Sequence, residues 1–253
     1  MRQRIASICA LLLMAGMLGA CPKGPGEEPI DLQPGGPAPT ATLTGRINFE
    51  GTPPPNDKVQ MSADPYCQMR ASEYPTVETV LVSDGGLENV IVFVSSPITG
   101  SYPPPSTPVE VDQRNCHYIP HVFTMMTKQT LNIKNSDATL HNVHGYAEKN
   151  PSFNYGQSVQ GMVHMVTFGN PEVPLPIRCD VHRWMGAFVG VFTHPFHTVS
   201  TKGGAFELKL PAGKFEITAW HEKFGTKTTM LEVKDNEKKD VQFNFSASDK
   251  AAD

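Results

Sequence analysis

Long apolar runs at helical spacing are missing from this 253-residue chain, which argues against helix bundles and alternating strand–helix folds. Beyond residue 20 no apolar stretch is long enough to cross a bilayer as a helix. Common enzyme signatures are absent too: there is no Gly-x-Ser-x-Gly, no His-Glu-x-x-His and no phosphate-binding loop. No nucleophile–base arrangement stands out, so the chain is not expected to be an enzyme. Lys and Arg form no stripe or cluster, and 21 of them stand against 25 Asp and Glu, so no nucleic-acid partner is expected.

What is present begins with an export signal. Arg2 and Arg4 precede an apolar stretch, Ile5 to Leu18, that is short for a membrane span. Leu18-Gly-Ala-Cys21 resembles a bacterial lipobox, which implies cleavage before Cys21 and lipidation of that residue. The alternative is an ordinary secretory signal with a coincidental Cys. Residues 1–20 are then the signal, and residues 21–41, rich in Pro and Gly, form a tether that cannot bury a core. Without Arg2 and Arg4 the remainder holds 19 basic and 25 acidic residues, a net charge of −6. The expected location is the bacterial cell envelope, with the membrane touched through the lipid alone. Pro22 is not an inner-membrane retention signal of the Asp type, so the outer membrane is preferred, with the domain facing periplasm or exterior.

The rest reads as short strands. Leu43, Gly45, Ile47 and Phe49 alternate with polar residues, and Val90-Ile-Val-Phe-Val94 suits a strand buried on both faces. Leu131 and Ile133 alternate before the turn-type cluster Asn135-Ser136-Asp137. Phe206 to Leu210, Pro211-Ala-Gly213 and Phe215 to Ala219 read as strand, turn, strand with hairpin chemistry. Leu231 and Val233, then Val241, Phe243 and Phe245, complete an all-β series typical of sandwiches.

One loop carries chemistry. Cys179-Asp-Val-His182-Arg-Trp-Met185 places a thiolate, an imidazole and a thioether within seven residues. Thiolate, imidazole and a weak thioether, joined by a second imidazole, make the ligand set of a blue-copper electron-transfer site. His141, in Leu140-His-Asn-Val-His144, is the candidate for that second imidazole. The expected cofactor is therefore copper, at one mononuclear type 1 site formed by His141, Cys179, His182 and Met185. His144 lies three residues on, and along a strand such side chains point to opposite faces, so it is not expected to share the metal.

Residues from about Val109 to Phe192 resemble a cupredoxin domain. The stretch Asn135 to Val143 is similar to the cupredoxin loop that delivers the first His, and the Cys179–His182–Met185 spacing is similar to the short amicyanin-type loop. By that resemblance Asn142 ties the His141 loop to the Cys179 loop, with a plain turn or strand residue as the alternative. Trp184, between two ligands, either packs over the site or is a generic core aromatic. The flanks, Thr44 to Gly51 with Leu87 to Val92 and Gly203 to Ala219, resemble the two halves of carboxypeptidase-regulatory-like, transthyretin-like sandwiches. The implied fold is a cupredoxin Greek-key sandwich or barrel inserted in a prealbumin-like sandwich. Residues 42–108 and 196–246 form the outer sandwich, 109–195 the cupredoxin domain and 247–253 a frayed polar tail. The alternative assigns residues 42–108 to an enlarged cupredoxin.

Of the five cysteines, Cys9 leaves with the signal, Cys21 takes the lipid and Cys179 the metal. Cys67 and Cys116 remain and are expected to pair, stabilising the fold by roughly 3–4 kcal/mol; two buried free thiols are the alternative. His121, His144, His221 and the Met162/His164/Met165 cluster could hold a second metal, but each reads more simply as a surface, interdomain or core residue.

The implied function is electron transport by a lipid-anchored blue-copper protein. Its partner would be a redox protein such as a c-type cytochrome, a reductase or an oxidase, docking at an exposed edge of His182. No His-x-His pair occurs, as a trinuclear oxidase cluster would need. The competing readings are a copper module for capture, delivery or sensing, and a cell-surface interaction module braced by copper.

Overall fold

The computed structural model describes residues 35–72 and 76–251. The expected signal, the lipidation candidate Cys21 and most of the expected tether lie outside the described residues. Among the described residues no helix is long and apolar enough to cross a membrane.

The strands run β1 (Ala41–Glu50), β2 (Val82–Ser83), β3 (Gly86–Leu87) and β4 (Ile91–Val94). Then come β5 (Val109–Arg114), β6 (His117–Ile119), β7 (Val122–Met126), β8 (Thr130–Asn135) and β9 (His141–Gly145). After these follow β10 (Phe153–Gln157), β11 (Val163–Thr167), β12 (Glu172–Arg178) and β13 (Gly186–Phe192). The series ends with β14 (His197–Val199), β15 (Ala205–Leu210), β16 (Gly213–His221), β17 (Gly225–Val233) and β18 (Lys238–Ser246).

They assemble into four sheets. The first has the order β15-β1-β3-β2, with β18 alongside β1, and the second is β14-β4-β16-β17. The third is β10-β9-β12-β13-β7 and the fourth β11-β8-β5-β6. The chain is thus an all-β architecture of packed sheets, in which β5 to β13 supply the third and fourth sheets and the flanking strands supply the first two.

Three apolar layers separate the sheets, and strand periodicity of two explains them. Val90, Val92 and Val94 face the core between the first and second sheets. Ile91 and Phe93 face the other way, onto Val122, Phe188 and Phe192 of the third sheet. In β13 the same alternation sends Ala187, Val189 and Val191 into the core between the third and fourth sheets. Both β4 and β13 are therefore apolar on both faces, which is why their sequences do not alternate. Four buried side chains in the middle layer, at about 1.5–3 kcal/mol each, make it a packed seam.

The hairpin expected across Pro211–Gly213 does not form. β15 pairs with β1, whereas β16 pairs with β4 and β17. Leu210 and Phe215 reach the same core from opposite sheets, so the turn is an arch between sheets. The C-terminal tail is also less frayed than expected, since Asp249 bonds Lys227 Nζ at 2.8 Å and the Ser246 N–H at 2.7 Å. At the other end Pro37 accepts a hydrogen bond from the Tyr102 hydroxyl at 3.2 Å, so the last tether residues lie against the domain.

Between β1 and β2 the chain leaves the first sandwich and crosses to the second. Met61 and Cys67 are buried in the core between the third and fourth sheets. There the chain makes one short helix, α1 (Pro65–Gln68), with Pro65 in the first turn. Asp64 caps α1: its Oδ1 accepts the Tyr66 and Cys67 N–H groups at 2.8 and 3.1 Å. Cys67 is disulfide-bonded to Cys116, so the excursion is a cap anchored covalently to the nine-strand unit.

Candidate metal centre

Two loops at one end of the second sandwich build the site. The first follows β8, where Asn135 Oδ1 accepts the Asp137 N–H at 2.9 Å and bends the chain back into β9, which opens with His141. The second runs from β12 to β13 and closes on itself. There the Met185 N–H bonds the His182 carbonyl at 2.8 Å and the Cys179 N–H bonds the Met185 carbonyl at 3.2 Å. Asn142 Oδ1 joins the loops by accepting the Asp180 N–H at 3.0 Å, and the Tyr118 hydroxyl donates to the carbonyls of both Asn142 and Arg178.

His141, Cys179 and His182 converge, their ligand atoms lying within 4.8 Å of one another. All three are buried, at 0, 2 and 2% exposure. His182 Nδ1 is 3.9 Å from Cys179 Sγ and 3.0 Å from His141 Nδ1. Met185 is buried on the same loop and belongs to the same apolar cluster as Cys179. Trp184 covers one side: its ring centroid is 5.0 Å from that of His182, and its indole N–H donates to the Cys116 carbonyl at 3.0 Å.

Behind each imidazole stands a carboxylate that sequence reasoning did not single out. His141 Nε2 donates to Asp137 Oδ2 at 2.8 Å, and both side chains are buried. His182 Nε2 donates to Asp64 Oδ2 at 3.1 Å. Asp137 could have been noticed four residues before His141 in a turn, and Asp64 as a helix cap before Pro65. Nothing local links Asp64 to a loop 118 positions away.

The electrostatics follow. Burial would raise the Cys179 thiol, but hydrogen bonds from the His141 and His182 imidazoles and from the Asn142 and His182 N–H groups outweigh it and bring the thiol down to about 6. Burial opposes ionisation of Asp137, yet bonds from His141, Cys116 and Asn115 hold its carboxyl below the usual range. Asp64 is lowered in the same way, against burial, by Cys67, Thr139, His182 and Tyr66. His141 is raised: burial disfavours its charge, but Asp137 and Cys179 overcome that.

This donor set fits copper. With both Nε2 atoms engaged by carboxylates, the two Nδ1 atoms face each other at 3.0 Å. A cation among them and the easily ionised Cys179 thiol would satisfy all three. One thiolate and two imidazoles with a thioether on the same loop match the copper preference for that combination. Two further groupings, Asp64/Cys67/His182 and Cys116/Asp137/His141, involve cysteines already consumed by the disulfide.

His182 offers no exposed edge for a partner to dock on. The sequence suggested one; Asp64 and Cys67, whose Sγ is 3.7 Å from His182 Nε2, cover it. The apolar side chains beside the ligands that do reach the surface are Leu140 and Val181, 44 and 48% exposed. The other histidines have separate roles. His144 bonds Asp180 at 3.0 Å and stacks on Tyr146. His121 lies between the Gly186 carbonyl and Glu222. His221 accepts the Lys223 and Phe224 N–H groups and stacks on Phe224. His164 stacks on Tyr155, and Met162 Sδ accepts the Val159 N–H.

No family profile matches the chain, and no curated protein does. Among solved structures, part of the chain is similar to the copper-containing nitrite reductase of Thermus scotoductus SA-01, at 18% identity and a TM-score of 0.32. That match covers 40% of this chain and only 25% of the reductase. The purple cupredoxin of Nitrosopumilus maritimus is similar at 17% identity and a TM-score of 0.29, over 33% of this chain and 98% of that one. A single-site mutant of amicyanin in its Cu(I) form is similar at 18% identity and a TM-score of 0.30, over 40% of this chain and 97% of that one.

Proposed function

We propose that the chain is a lipid-anchored mononuclear copper protein that carries electrons in the bacterial cell envelope. The observation that carries this reading is the buried convergence of His141, Cys179 and His182, with Met185 on the same loop. Copper held by two imidazoles, a thiolate and a weak thioether exchanges single electrons with little change of geometry.

The residues' own parts are distinct. Cys179 supplies the thiolate, stabilised before any metal arrives by the backbone N–H groups of Asn142 and His182 and by the neighbouring imidazoles. His141 and His182 present Nδ1 inward because their Nε2 atoms are occupied. Met185 supplies the thioether, and Trp184 keeps water from one side. Burial of all three converging donors supports a carrier over a catalyst, since it leaves substrate no approach to them. The export signal and the Cys67–Cys116 bridge support an oxidising location. A redox protein is the partner class, such as a c-type cytochrome, reductase or oxidase.

Visible and EPR spectra of the copper-reconstituted protein test the reading. An intense thiolate-to-copper band and reversible reduction are expected. A colourless protein that takes up copper without such a band would sink it.

A further inference from the structure

We propose that Asp64 is a positioning residue of the metal centre, delivered by the disulfide-anchored cap: it holds His182 with Nδ1 turned toward Cys179 and His141, and strengthens that imidazole as a ligand. This rests on the copper-carrier reading and extends it to a residue from outside the nine strands.

The carboxylate is fixed from two directions. Its Oδ1 is committed to the first turn of α1, through the Tyr66 and Cys67 N–H groups. Its Oδ2 accepts Thr139 Oγ1 at 2.8 Å as well as His182 Nε2 at 3.1 Å. Thr139 stands on the loop that leads into His141, so Asp64 spans both ligand loops. An imidazole that gives its far N–H to a carboxylate has its tautomer and ring direction set and its near nitrogen made more basic.

The opposite imidazole is held the same way. Asp137 Oδ1 and Oδ2 accept the N–H groups of Asn115 and Cys116, both at 2.8 Å, while Oδ2 also accepts His141 Nε2. Cys67 is bonded to Asp64 through its N–H, and Cys116 to Asp137 through its own. The Cys67–Cys116 bond therefore joins the two carboxylate holders into one frame. The Tyr66 hydroxyl, 3.1 Å from Asp137 Oδ1, crosses the same frame a second time. A cap that merely shielded the core would need Met61 and Cys67; it would not need a carboxylate aimed at His182.

The test uses the full chain with Asp64→Asn, Asp64→Glu and Thr139→Val, each checked for folding by circular dichroism. In the copper-free wild type, nitrogen NMR should find the His182 proton on Nε2, and Asp64→Asn should mix the tautomers. In the copper-loaded protein, Asp64→Asn should keep the thiolate band but lose roughly 10- to 100-fold in copper affinity by chelator competition. Its reduction potential should rise, because a negative charge that favours Cu(II) has been removed, and Asp64→Glu should restore part of both. If Asp64→Asn fails to fold, Thr139→Val, which loosens the carboxylate and leaves the cap, should show the same changes at smaller size. A folded Asp64→Asn with wild-type tautomer, affinity and potential would overturn the proposal. A wild type without a thiolate band would overturn the carrier reading instead, and the copper-free tautomer comparison would still decide the role of Asp64.

Discussion

The Nδ1 atoms of His141 and His182 lie 3.0 Å apart, while each ring gives its Nε2–H to its own aspartate. The two rings, tilted at 72° to one another, are arranged for a third party between them, and Cys179 flanks the gap.

Cys179→Ser should abolish the thiolate-to-copper band altogether, because no other free cysteine is present among the described residues. Met185→Leu should keep the band and raise the potential, since the thioether that favours Cu(II) is replaced by an apolar group of similar volume. Visible spectra and voltammetry of the copper-loaded variants measure both effects.

Replacing Cys67 and Cys116 together by Ser should cost about 4 kcal/mol, the chain-entropy value for a bridge closing a separation of 49 residues. Urea denaturation of the copper-free protein measures it. Both cysteines are fully buried, so a thiol reductant should reach their bond only as the protein unfolds.

Acid should destabilise the fold before the carboxylates titrate. Burial pushes His197 and His221 down to about 3, against about 6.5 in an unfolded chain. Between those values the unfolded state binds protons that the native state refuses. These two histidines therefore leave stability unaffected above about pH 6.5 and lower it below that, by about 1.4 kcal/mol per pH unit for each, until about pH 3. His197→Phe, at a ring that stacks on Phe192 at 4.5 Å, should make that slope shallower in denaturation series at pH 7, 5.5 and 4.5.

Two neighbouring glycines should respond differently to alanine. At Gly204, with φ +77°, a Cβ would sit 2.2 Å from the Ile47 carbonyl oxygen, which belongs to β1 and cannot move aside. Gly203, with φ +79°, has open space around it. Gly203→Ala should cost about 1 kcal/mol for the left-handed backbone alone, and Gly204→Ala at least about 3 kcal/mol. Thermal melts of the two variants make the comparison.

The strands were legible wherever one rule governed them. Leu43, Ile47 and Phe49 alternate because β1 has one apolar face, and the unbroken run at Val90–Val94 reflects two. Pairing was less legible: Pro211–Gly213 carries turn chemistry that serves a hairpin or an arch equally, and only packing of Leu210 and Phe215 decides. The candidate ligand loop was readable because Cys179, His182 and Met185 are close in sequence. Asp64 was not, because its role depends on a crossing between sandwiches that no local pattern encodes. For the same reason His182 reads as a surface ligand until the cap is seen over it.

The placement of β1 has a mechanical consequence. It is flanked by antiparallel β15 on one edge and by parallel β18 along nine registered pairs on the other. Tension entering at Ala41 would be borne in shear by those two ladders, near both ends of the chain. The strands that carry His141 and the Cys179 loop enter after β4 and return before β14, so they lie off that load path. A pull at Ala41 would leave the distances among His141, Cys179 and His182 unstretched.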